Sequence, residues 1–149
     1  MCKGVNSIIY VRIKIQKQSI YIYKYIQTMS KTTSGKHMIC DIKNIKNQEL
    51  ISTPTQITDL LDYICQTYKY TVLQKSSHEF EPQGFTSIYL LSESHISIHT
   101  FPEKNYASID IYTCRQYPDN QVYLEIYDYL IKEFQADATH KPIIIDREF

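Results

Sequence analysis

The sequence predicts an α+β fold, a two-layer sandwich in which an antiparallel sheet carries two helices packed on one face. Three observations predict it. Two stretches carry one apolar stripe each at helical spacing: Ile57, Leu60, Leu61, Ile64, Cys65 and Tyr68, then Tyr123, Ile126, Tyr127, Leu130, Ile131 and Phe134. Elsewhere apolar and polar residues alternate with period two, as in Ile96 and Ile98 among His95, Ser97 and His99, or Ile109 and Ile111 among Ser108, Asp110 and Tyr112. The elements follow one another as β-α-β-β-β-β-α-β, and helices with a single stripe need a flat partner to cover. The opposite face of the sheet carries the polar residues, and that face or an edge is expected to meet a second copy.

Each element has its own signal. Residues 1–28 are Ile- and Tyr-rich runs broken by lysines and an arginine, without the uncharged core of a secretory signal. They are expected to be disordered or not native, with Met29 opening a single domain over 29–149. Lys36 to Ile42 places Met38, Cys40 and Ile42 on one face of a strand. Thr53-Pro54 supplies an N-cap with proline at the first helical position. Tyr70 to Ser76 reads as a strand, Phe80-Glu-Pro-Gln-Gly84 breaks it, and Thr86 to Leu91 and His95 to Thr100 follow as strands. A turn at Pro102 to Asn105 leads to the strand that ends at Cys114. Tyr117-Pro-Asp-Asn120 is a breaker and helix start, and Pro142-Ile-Ile-Ile145 a last short strand.

The 149 residues suit one core. Sixteen basic and sixteen acidic residues leave no electrostatic footprint for nucleic acid. No run of apolar residues is long enough to span a membrane. Cys2, Cys40, Cys65 and Cys114 keep no regular spacing, which fits a reducing cytoplasm better than a disulfide framework. Cys40 and Cys65 are expected in the core, and His37 and His140 at the surface or a strand edge.

Reactive groups concentrate between Leu91 and Cys114. Ser94 lacks the flanking glycines of a hydrolase elbow. His95 and His99 would share a helix face, but on a strand they stand about 13 Å apart, so no metal site is expected with Cys114. A third reading is covalent self-modification, and it comes from a resemblance. Glu93-Ser-His95, His99-Thr-Phe-Pro-Glu103 and Thr113-Cys114, preceded by Phe80-Glu-Pro-Gln-Gly84 and Thr86, resemble the processing site of S-adenosylmethionine decarboxylases of the short prokaryotic type. Asp110 belongs to the same match, and weaker similarity at Gly35-Lys-His37 and Asp41 extends it over about residues 33 to 135.

The resemblance implies a proenzyme cleaved between Glu93 and Ser94. Attack of the Ser94 hydroxyl on the preceding carbonyl turns the amide into an ester, and removal of the serine α-proton expels the upstream chain. The dehydroalanine left behind hydrolyses to a pyruvoyl group, a covalent cofactor made from Ser94. Its ketone forms a Schiff base with the substrate amine and accepts the electrons released with carbon dioxide. Cys114 is placed to reprotonate the product. By resemblance His99 is the base of the elimination, Thr86 holds the intermediate of the acyl shift where the family usually has serine, Phe80 stacks on adenine, and Glu103 binds the ribose hydroxyls. His95 is given a structural role.

The implied activity is conversion of S-adenosylmethionine to its decarboxylated form for spermidine synthesis, by a homodimer. Two departures stand out near the site: Thr86 adds a methyl group, and Arg115, where the family tends to have glycine, is expected to crowd the turn. The chain also ends in Asp146-Arg-Glu-Phe149 and not in a basic tail. The alternatives are a decarboxylase of ornithine or arginine, which Phe80 and Glu103 disfavour, and a non-catalytic regulatory paralogue.

Overall fold

The structure, a computed structural model, describes residues 33–148, so the expectation for residues 1–28 lies outside the described residues. Strand β1 (Thr33–Ile42) alternates as expected, burying Met38, Cys40 and Ile42. A five-residue helix α1 (Gln48–Ser52) follows, capped by the Asn47 side chain on the Leu50 amide at 3.2 Å. It was not predicted, because five residues are too few to show a stripe. Helix α2 (Pro54–Thr67) has proline in its first turn and buries Ile57, Leu60, Leu61, Ile64 and Cys65. The Thr53 side chain does not cap it. Its hydroxyl donates back to Glu49 O at 2.6 Å, closing α1 instead.

Strands β2 (Val72–Glu79), β3 (Phe85–Leu91), β4 (Ser94–Phe101) and β5 (Tyr106–Thr113) then form a meander. Strand β2 starts two residues later than expected, since Tyr70 is drawn into the core at the end of α2. A single 3-10 turn, Pro102–Lys104, and Asn105 in the left-handed region join β4 to β5. Helix α3 (Gln121–Phe134) buries Tyr123, Ile126, Tyr127, Leu130 and Phe134, and Asp119 rather than Asn120 accepts from its first amide, at 2.8 Å. Strand β6 (Ile143–Glu148) completes the chain.

The six strands lie in the order β2-β3-β4-β5-β1-β6, every neighbouring pair antiparallel. The first strand is thus inserted between β5 and β6. The stripes of α2 and α3 and the inward residues of the strands, among them Tyr89, Ile96, Ile98, Ile109 and Ile111, form one apolar cluster. Each fully buried Ile or Leu there stabilises the fold by about 1.5–3 kcal/mol. Gly35 makes the junction of β1 and β5 possible. It has φ +121°, and a Cβ on it would lie 2.0 Å from Thr113 O and 2.6 Å from Cys114 Cα.

The other face of the sheet has no helix among the described residues. It carries Thr86, His95, Ser97 and His99 as expected, but it is not purely polar. Ile39, Ile88, Leu90, Ile143 and Ile145 are 37–60% exposed, and the strand registers place them on this same face.

Candidate active site

The site grows from the tight turn between β3 and β4. Leu91 pairs with Ser94, leaving Ser92 and Glu93 at the tip. Ser94 has φ +137°, a conformation rarely adopted by residues with a side chain and costing on the order of 1–3 kcal/mol. It persists because the turn is pinned from several directions. The Ser92 amide donates to Thr71 O at 2.9 Å. The Glu93 carbonyl oxygen accepts from the Cys114 amide at 2.8 Å. The Glu93 carboxylate accepts from the Thr71 amide at 3.1 Å and from Arg115 Nη2 at 2.7 Å.

Arg115 does not crowd the turn, contrary to the expectation from its side chain. It reaches away from β5 to the end of α2, donating from Nη1 to Tyr68 O at 2.7 Å and from Nη2 to Lys69 O, with its guanidinium 4.9 Å from the Tyr70 ring centre. Burial raises the Glu93 carboxyl, but hydrogen bonds from Arg115, the Thr71 amide and Ser92 outweigh it and hold the pKa at about 2.

Cys114 follows β5 and is exposed, whereas Cys40 and Cys65 are buried. Burial, reinforced by Asp41 and Asp110, pushes the Cys40 thiol up to about 12, and burial followed by Asp62 pushes Cys65 to about 11. These two are core residues without nucleophilic character. His95 packs its ring 6.1 Å from His37 and 5.9 Å from Tyr112. Burial, then the neighbouring His37, lowers its pKa. His37 is not at a strand edge: β1 is flanked by β5 and β6, and its buried Nε2 faces Asp110 Oδ1 at 3.3 Å without hydrogen-bond geometry. His140 is exposed, as expected.

The other predicted residues meet elsewhere. A cavity of about 420 Å³ is lined by Phe80, Thr86, His99, Phe101 and Glu103, with the Pro82–Gly84 loop at its rim. Thr86 Oγ1 lies 2.8 Å from His99 Nδ1 across the β3–β4 ladder. The buried Thr100 hydroxyl accepts from the Phe85 amide at 2.9 Å and fixes the strands beneath the cavity. Phe80 stands against His78 edge-to-face at 4.7 Å and is half exposed. Two aromatic walls and a carboxylate at the mouth suit a flat ring carrying hydroxyl groups. Phe101 was missed from the sequence, although the aromatic next to Thr100 was visible.

The structure therefore brings together Glu93, Ser94 and Cys114 at one place, and Phe80, Thr86, His99 and Glu103 at another. Ser94 and His99 are five residues apart on β4, about 16 Å along the strand. Within one chain the two groups do not meet.

A sequence model described as S-adenosylmethionine decarboxylase matches residues 36–147, nearly all of the described chain. The chain belongs to the S-adenosylmethionine decarboxylase family. It is similar to S-adenosylmethionine decarboxylase proenzyme 2 of Bacillus cereus, with 37% identity over 112 residues covering 75% of this chain and 88% of that one. The proenzyme of Methanococcus maripaludis is 41% identical over 83 residues, 56% of this chain and 67% of the relative. Among solved structures, adenosylmethionine decarboxylase from Aquifex aeolicus superposes with a TM-score of 0.67 at 29% identity, covering 78% of this chain and 92% of the other. Membership makes the chain an adenosylmethionine decarboxylase, a carboxy-lyase.

Proposed function

We propose that this S-adenosylmethionine decarboxylase matures by breaking its own Glu93–Ser94 bond, leaving a pyruvoyl group in place of Ser94. The observation that carries this reading is the Cys114 amide on the Glu93 carbonyl oxygen beside a strained Ser94. An N–H aimed at that oxygen stabilises the negative charge that develops on it when a nucleophile adds. As the Ser94 oxygen bonds to the Glu93 carbonyl carbon, the C–N bond breaks and the hydroxyl proton passes to the freed amine. A base then takes the Ser94 α-proton, and the Glu93 carboxylate departs. Water replaces the nitrogen, which leaves as ammonia.

The residues fit a group made at this position, since the strained turn is held on all sides and an exposed thiol lies beside it. Once formed, the pyruvoyl group supplies a ketone that captures the substrate amine and a conjugated carbonyl that takes up the electrons of the departing carboxylate. The chain's own residues do the rest. Phe80 and Phe101 sandwich the adenine, Glu103 accepts from the ribose hydroxyls, and Cys114 returns a proton to the product carbon. His99, oriented by Thr86 Oγ1 at 2.8 Å, serves as the base of maturation.

The separation of Ser94 from His99 supports a homodimer in which the sheet faces meet, and Ser94 is served by His99 of the partner subunit. The apolar residues exposed on that face favour the same arrangement. The product would feed spermidine synthesis in a cytoplasm that keeps the thiols reduced.

Co-expression tests the whole scheme. Wild type should separate under denaturing, reducing conditions into residues 1–93 and 94–149, and Ser94→Ala and His99→Ala chains alone should not. A mixed dimer of the two variants should cleave the His99→Ala chain, because it receives a histidine from its partner. Cys114→Ala should cleave yet lose turnover. An intact wild type would sink self-maturation, and an uncleaved mixed dimer would confine the site to one chain.

A further inference from the structure

We propose that Arg115 is a positioning residue for self-cleavage, holding the Glu93 side chain so that the Glu93 carbonyl stays on the Cys114 amide and Ser94 stays in its strained conformation. The proposal rests on the reading of Glu93–Ser94 as the bond that breaks. The geometry that points to it begins with placement. Arg115 is the residue after Cys114, and Cys114 provides the amide on the scissile carbonyl. One residue therefore holds the carbonyl of Glu93 while its neighbour holds the carboxylate, both from the end of β5.

A flexible arginine could not do this unaided, and here it is itself fixed. Nη1 and Nη2 bond the carbonyls of Tyr68 and Lys69, acceptors that the end of α2 leaves without helical partners, and the guanidinium covers Tyr70. The Thr71 amide, in the segment leading into β2, takes the second carboxylate oxygen. Glu93 is thus held between the end of a helix and the start of a strand, neither of which belongs to the β3–β4 turn. The turn cannot relax Ser94 to an ordinary φ without moving Glu93, and Glu93 cannot move without breaking charge-assisted bonds. Strain kept in this way is available to the acyl shift, which removes the amide that enforces it.

The same contacts could serve only to close α2, so the test must separate cleavage from stability. In freshly made protein, Arg115→Ala should slow cleavage about tenfold or more. The fraction that does cleave should decarboxylate S-adenosylmethionine, per pyruvoyl group, within about twofold of wild type. Glu93→Gln, which keeps shape and removes charge, should slow cleavage similarly and is the safeguard should Arg115→Ala fold poorly. The double variant should be no slower than either single one, because both remove the same contact. Arg115→Lys should recover part of the rate.

Wild-type cleavage with Glu93→Gln cleaving equally fast would overturn the clamp. So would multiplicative effects in the double variant, or cleavage and turnover per site falling together. A wild type that never cleaves defeats the parent reading instead, and with it this one.

Discussion

Glu93 shows how a single side chain near the surface acquires consequence. Its carboxyl is held at about 2, well below the ordinary 4.5, by Arg115 and the Thr71 amide against the opposing effect of burial. A carboxyl lowered by folding stabilises the fold wherever it is ionised in both states, and that contribution disappears as pH falls through the folded value. In an uncleavable Ser94→Ala background, Glu93→Gln should therefore cost about 1–2 kcal/mol at pH 7. The gap should narrow from about pH 4.5 downward and be mostly gone near pH 2. Denaturant titrations at several pH values measure it directly, and a gap that persists at pH 2 would show that the charge is not its origin. The cysteines make the complementary point, since burial removes Cys40 and Cys65 from chemistry and leaves Cys114 as the exposed thiol among the described residues.

At the scale of elements, the junction of β1 with β5 controls the turn from a distance. Gly35 lets β1 approach Thr113 and Cys114 so closely that any side chain would meet backbone. Thr113 is buried, its hydroxyl 2.9 Å from Tyr123 OH of α3, so it cannot yield on that side. Gly35→Ala should accordingly displace the end of β5 and pull the Cys114 amide from the Glu93 carbonyl. The expected loss is about 2–4 kcal/mol of stability together with much slower cleavage. Ser34→Ala, which keeps an ordinary φ and loses only the hydrogen bonds of the Ser34 hydroxyl to Arg147 O and from Tyr112 OH, is the control. Equal midpoints for the two variants would show that the strands part without cost.

At the scale of the molecule, the sheet face that carries no helix among the described residues calls for a partner. Its apolar residues Ile88 and Leu90 on β3 and Ile143 and Ile145 on β6 flank the polar strip of His95, Ser97 and His99. If a second copy covers this face, Ile145→Lys should yield monomers in sedimentation while far-UV spectra stay unchanged, because Ile145 is 43% exposed and outside the apolar cluster. Cleavage should fail with dimerisation, as Ser94 would lose the histidine of the partner subunit. A monomer that still cleaves would place both groups in one chain's reach.

The sequence by itself determined the two long helices, the six strands and which side of each faces the core, but not the five-residue α1 or the apolar residues on the outer sheet face. Helical stripes and period-two alternation are local, so α2, α3 and all six strands could be read, as could the shared face of His95, Ser97 and His99. The candidate site residues could be singled out as well, because their types and spacing lie within one short stretch. Only the tertiary structure decided the strand order, with β1 inserted between β5 and β6, since periodicity says which side of a strand is buried and not which strand lies next to it. The contact of Arg115 with Glu93 joins residues 22 positions apart through the end of a helix, and leaves no periodic trace. The division of the site into two groups follows from the rise of an extended strand. Five residues that look adjacent in the sequence become about 16 Å of β4, too far for one chain to close.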